Sequence, residues 1–113
     1  MKRDETVYLK DILESIERIE EYKRGINRKK FLENPQIQDS IIRRLEIIGE
    51  AVKNLSKGFR EEHPQVEWKK ISGTRDILIH SYFGVNLERV WNLIELDLPK
   101  LKKEIEKILR GWE

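Results

Sequence analysis

Apolar residues recur along this chain in steps of three and four, first at Ile12, Ile16 and Ile19, then at Ile37, Ile41, Leu45, Ile48, Val52 and Leu55. A helix turns once every 3.6 residues, so this spacing predicts one buried stripe on each of two helices. The C-terminal third repeats it through Leu87, Val90, Trp91, Ile94, Leu98, Leu101, Ile105, Ile108 and Trp112. Pro99 falls inside that run and predicts a kink, or a split with the proline in the first turn of a new helix. The breaks are few. Gly25-Ile26-Asn27 closes the first helix, Asn34-Pro35 interrupts or opens the second, Gly58 to Pro64 separates the second from the third, and Gly84-Val85-Asn86 precedes the fourth. No segment has a persuasive period of two, and no repeat or linker divides the chain. The expected architecture is all-α, an antiparallel four-helix bundle forming a single domain over residues 1–113.

Composition narrows the chemistry. Cysteine is absent, which excludes disulfides, zinc ribbons and thiol catalysis and fits a reducing compartment. Charged residues make up 39% of the chain yet nearly cancel to a net +2, so any affinity for nucleic acid must come from a local patch. The opening Met1-Lys2-Arg3-Asp4-Glu5 is charged, and no apolar run approaches the roughly 20 residues of a membrane span. The expectation is a soluble, cytoplasmic protein.

The third helix carries the residues of chemical interest, Arg75-Asp76-Ile77-Leu78-Ile79-His80-Ser81-Tyr82. On an ideal helix Arg75 and Tyr82 lie within roughly 20° of one another, on the side of Trp68, Ile71, Leu78 and Ile79. A guanidinium on an apolar stripe cannot lose its proton, so it is either paired, with Glu50 or Asp76, or lines a cleft that an anion visits. The two readings can coexist. His80 falls about 140° from Arg75. Either the arginine curls across, the helix loosens near Ser81, or a second chain completes the site. His80 is a satisfied helix histidine or a group that takes and returns a proton, and Tyr82 is a core-edge tyrosine or part of the site. His63, in the turn Glu62-His63-Pro64, reads as structural. Two histidines far apart argue against a transition-metal site, and neither metal nor cofactor is called for. On the second helix Gly49 beside Ala51 would admit another helix closely. Its charges, Arg43, Arg44, Glu46 and Glu50, form a solvated face or support the third helix.

In this order the pieces resemble a known family. Ile42-Arg43-Arg44-Leu45-Glu46-Ile47-Ile48-Gly49-Glu50-Ala51, His63-Pro64 before Trp68, Gly73 with Arg75 to Val85, and Val90-Trp91 with Asp97-Leu98-Pro99 are similar to a minimal HEPN domain of the HepT type. HepT is the toxin of HepT–MntA toxin–antitoxin pairs. The family's Arg-x4-His-x-Tyr motif is complete in Arg75, His80 and Tyr82, with Ser81 where glycine is often found.

The resemblance implies a metal-independent endoribonuclease toxin of a type VII system, acting as a homodimer with two motifs facing across a two-fold axis. It implies RNA cleavage by attack of a ribose 2′-hydroxyl, with His80 moving the proton and Arg75 stabilising the phosphoryl oxygens. Asp76, Glu50 and Arg43 are the neighbours expected to support them. It further implies neutralisation by an MntA-like nucleotidyltransferase that adenylylates Tyr82. The competing reading is a non-catalytic helical subunit that binds a nucleotidyltransferase or a nucleotide.

Overall fold

A computed structural model describes residues 3–79 and 86–111. The expected all-α bundle is present. Four long stretches of helix form it: α1 (Arg3–Tyr22), α3 (Pro35–Asn54), α5 (Trp68–Ile79) and a C-terminal run of α6 (Leu87–Asn92), a π-helical turn (Leu93–Asp97) and α7 (Leu98–Arg110). Two short helices, α2 (Arg28–Glu33) and α4 (Lys57–Glu62), sit in the connections.

The stripes read from the sequence are the core. Leu9, Ile12, Ile16 and Ile19 of α1 meet Ile41, Leu45, Ile48 and Val52 of α3 and Leu98, Leu101, Ile105 and Ile108 of α7, all buried. Helix α3 is central, packing on α1 along one side and on α5 along the other. Its start is built locally: Pro35 occupies the first turn, and the Asn34 side chain accepts a hydrogen bond from the Ile37 amide at 3.1 Å. Gly25 takes a left-handed φ of 73° just after α1, which lets the chain turn away from that helix.

The connecting helices depart from the expected plain loops for one reason each time. Asn27 caps α2 by accepting from the Lys30 amide, and Phe31 is buried against Trp91, ring centroids 5.3 Å apart. Ser56 caps α4 by accepting from the Phe59 amide, and Phe59 packs between His63 and Trp68. A capped turn with one buried aromatic is stable because tertiary burial supplies what six residues alone cannot. Gly58 lies inside α4 rather than ending a helix. Glu5, nearly buried on α1, anchors the same corner by accepting from the Ser56 amide at 3.3 Å.

Pro99 lies in the first turn of α7, the split expected from the sequence, and the new helix follows directly on the π turn. Pro99 lacks an N–H, and in an unbroken α-helix its ring would press on the Glu95 carbonyl. The chain widens into the π turn just before it, with the Leu98 N–H reaching back to the Leu93 carbonyl. No helix among the described residues is long and apolar enough to cross a membrane.

Candidate active site

Arg75 is placed by a missing side chain. Gly49 of α3 faces it so closely that a Cβ built on the glycine would collide with the Arg75 Cβ and stand 3.4 Å from the Arg75 Cα. The pairing of Gly49 with a neighbouring helix, expected from sequence, is therefore the contact that seats α5. Trp68 and Leu78 fix the same side of α5 in the core, and the indole N–H of Trp68 donates to the His63 carbonyl at 2.9 Å. His63 is thereby a structural residue, closing α4 and stacking on Phe59 at 4.6 Å.

From that seat the Arg75 Nε lies 2.9 Å from Glu50 Oε2. The pair is not buried: the side chains keep 28% and 54% of their exposure, so the guanidinium can be reached from solvent. It opens into a cleft of about 260 Å³ between α1, α3 and α5, which Arg43 also lines. Arg75 thus has the Glu50 partner expected from the sequence, in an ion pair at the surface rather than in the core, and a place on a cleft. Arg43 shares the cleft but turns to Glu46 at 3.8 Å. The Asp76 side chain, His80 and Tyr82 lie outside the described residues, so the relation of His80 and Tyr82 to Arg75 rests on the sequence motif.

Sequence reasoning missed the far wall of this cleft, formed by Tyr8 and Asp11 of α1. Asn54 belongs to it too, and a signal for that was present: Arg43, Ile47, Glu50 and Asn54 recur at helical spacing on α3, away from the core stripe. Charge matters more. Arg43 and Arg75 are offset by Asp11, Glu46 and Glu50, so one copy of this cleft is not by itself an anion trap. Among the described residues no group of three or more His, Cys, Asp or Glu could hold a metal ion.

The described residues thus form an all-α protein that offers an arginine, held by a glutamate, at the mouth of a cleft. The chain belongs to the HepT-like ribonuclease family, whose model, Ribonuclease HepT-like, matches residues 12–108. It is 45% identical over 108 residues to a protein of Thermococcus cleftensis named probable ribonuclease HepT, covering 96% of this chain and 98% of that one. A candidate RNase of Caldanaerobacter subterraneus subsp. tengcongensis is 48% identical over 103 residues, 91% of this chain and 92% of its own length. A Methanocaldococcus jannaschii protein named as a gamma-glutamylcyclotransferase and candidate RNase is 50% identical over 109 residues. The match takes in 96% of this chain and 49% of that relative, so the chain spans about half its length. No solved structure matches.

Proposed function

We propose that this protein is a metal-independent endoribonuclease, the toxin of a HepT–MntA-like pair, acting in the cytoplasm as a single-domain homodimer. The observation that carries the reading is Arg75, locked on Gly49, held by Glu50 and still reachable from a cleft. A planar guanidinium oriented in this way suits two oxygens of a phosphoryl group. The acids around it in one chain make a second copy useful, since two motifs facing each other bring two guanidinium groups and two imidazoles to one phosphate.

In the reaction, a ribose 2′-oxygen bonds to the adjacent phosphorus while the bond to the 5′-oxygen breaks. His80 takes the proton of the hydroxyl and returns one to the leaving oxygen, and Arg75 stabilises the charge on the non-bridging oxygens. The products are a 2′,3′-cyclic phosphate and a 5′-hydroxyl. DNA lacks the nucleophile. Tyr82 is the control point: the partner nucleotidyltransferase transfers AMP from ATP to its phenol oxygen with loss of pyrophosphate, placing a phosphodiester charge and a nucleotide at the site.

The test is cleavage of total RNA in chelator. Arg75→Ala and His80→Ala should each lower the rate on the order of 10²-fold or more with helical content unchanged. Arg75→Lys should rescue poorly, and mixing the two alanine variants should recover activity in the mixed dimer. Cleavage that survives both substitutions, or that requires added magnesium, rejects the assignment. In the presence of the cognate transferase, Tyr82→Phe should escape both the AMP mass and the silencing.

A further inference from the structure

Round α5 from Arg75 lies a second and larger cleft, of about 530 Å³, between α5 and the α6 and π-helical run. Among the described residues α5 has one substantial packing partner, α3, so its opposite flank is not closed by the C-terminal helix. By helix count Lys69 and Gly73 sit roughly 120–160° from Arg75 on that flank. The floor is apolar, made by Leu78, Val90 and Leu93, and at Gly73 a Cβ would meet nothing, leaving the α5 backbone open to a flat group.

Its charge is the reverse of the first cleft. Its lining holds Lys69, Lys70 and Arg89 against one acid, Asp97, whose carboxylate lies 3.5 Å from the Lys70 ammonium, which also pairs with Glu67 at 3.7 Å. Lys69 and Arg89 are exposed and have no ion pair among the described residues. The cleft is also next to the motif in sequence: Leu78 and Asn86 line it and flank the stretch 80–85 that holds His80.

We propose that this cleft binds a single-stranded stretch of the RNA substrate, on the flank of α5 away from the Arg75 cleft. Lys69 and Arg89 take backbone phosphates, one base lies on Leu78, Val90 and Leu93, and the Asn92 amide meets the edge of that base. A concave site with an apolar floor and a cationic rim fits an unstacked base and its phosphates, whereas a duplex keeps its bases paired and would meet the rim alone. The inference rests on the ribonuclease reading and adds to it the strandedness of the substrate and the residues that hold it.

The experiment uses the full chain carrying His80→Ala, which separates binding from cleavage, and a short fluorescein-labelled single-stranded oligoribonucleotide read by anisotropy across a salt series. Adding Lys69→Ala and Arg89→Ala together should weaken binding about tenfold. Each single-strand phosphate contact contributes a salt slope of about 0.7, so the slope should shrink by about 1.4. Lys10→Ala with Lys103→Ala, the same loss of charge at exposed sites elsewhere, should leave binding at the parent level. Arg89→Lys should retain most of it, which guards against a folding defect in the double variant. The cleft is overturned if the Lys69 and Arg89 change has no effect, if the Lys10 and Lys103 change weakens binding equally, if a duplex of the same sequence binds as tightly, or if the parent binds no RNA. Cleavage by the wild-type chain is scored separately. Binding through the cleft without any cleavage would remove the nuclease and keep the site; cleavage with binding indifferent to Lys69 and Arg89 would do the reverse.

Discussion

The α1–α3–α7 side of this bundle and the α5 side are built to different standards. On the first, Ile12 and Ile16 are 0% and 1% exposed, and α1 packs on both α3 and α7. On the second, α5 rests chiefly on α3, keeps Ile71 and Arg75 only half-buried, and borders a cleft on each flank. The first region holds its shape by burying area; the second gives up burial to bring a fixed cation and open grooves to the surface. Arg75 thus stands on a helix that packs chiefly on one neighbour, α3, while the stripe of α1 is closed in by both α3 and α7.

The largest test of that contrast is a pair of deletions. Ile16→Ala should cost about 2–5 kcal/mol, since the cavity it leaves is enclosed on all sides. Ile71→Ala on α5 should cost only about 1 kcal/mol, because the side chain is already part solvated. Equal losses in urea denaturation followed by circular dichroism would erase the distinction.

A smaller but more specific effect follows at glycine. Gly49→Ala drives a methyl group into Arg75, so α5 must shift at a cost of about 1–3 kcal/mol. RNA cleavage should fall about 100-fold, the scale of a 1 Å misplacement of a catalytic group. Gly58→Ala, where a Cβ meets nothing, should stabilise by up to about 1 kcal/mol through helix propensity. A Gly49→Ala protein that melts and cleaves like wild type would show that the close approach is not what positions the arginine.

The smallest effect belongs to the well-packed side. Lys102 of α7 donates to Glu20 of α1 at 2.9 Å, and this hydrogen bond, helped by the negative charges of Glu20, Glu106 and Glu17 against a desolvation cost, raises its pKa above 10.5. A cation whose pKa is raised by folding stabilises fully below its unfolded pKa. That contribution, about 0.5 kcal/mol for an exposed pair, should fade as pH rises beyond 10.5, and Lys102→Gln should lack that part of the alkaline loss. An identical alkaline melting profile in the variant would leave this seam without a measurable role.

Much of the first region was legible before any coordinates. Ile12, Ile16, Ile41, Leu45, Ile48, Leu101 and Ile105 are buried because periodicity encodes which side of a helix faces inward. The close approach at Gly49 was legible too, and so was Glu50 as a partner of Arg75. Less was visible where the outcome depends on distant parts of the chain. The helices holding Phe31 and Phe59 are stabilised by rings they meet in three dimensions, so local propensity alone reads them as loops. Pro99 signals the new first turn that forms at α7, but not the π turn over Leu93–Asp97 before it. Neither cleft follows from one helix: Tyr8 and Asp11 stand 64 or more residues from Arg75 in sequence, and Lys69 meets Arg89 only across two elements.

Trp68 and Trp91 stand on different helices, α5 and α6, and that division has an optical consequence. Trp68 opens α5 with its indole tied to the His63 carbonyl, while Trp91 lies against Phe31 with the Lys23 ammonium 5.7 Å from its ring. A chain retaining Trp68 as its sole indole would emit from the start of α5, and one retaining Trp91 from α6. Fluorescence would then separate a displacement of α5 from a loosening of the whole bundle, without any attached label.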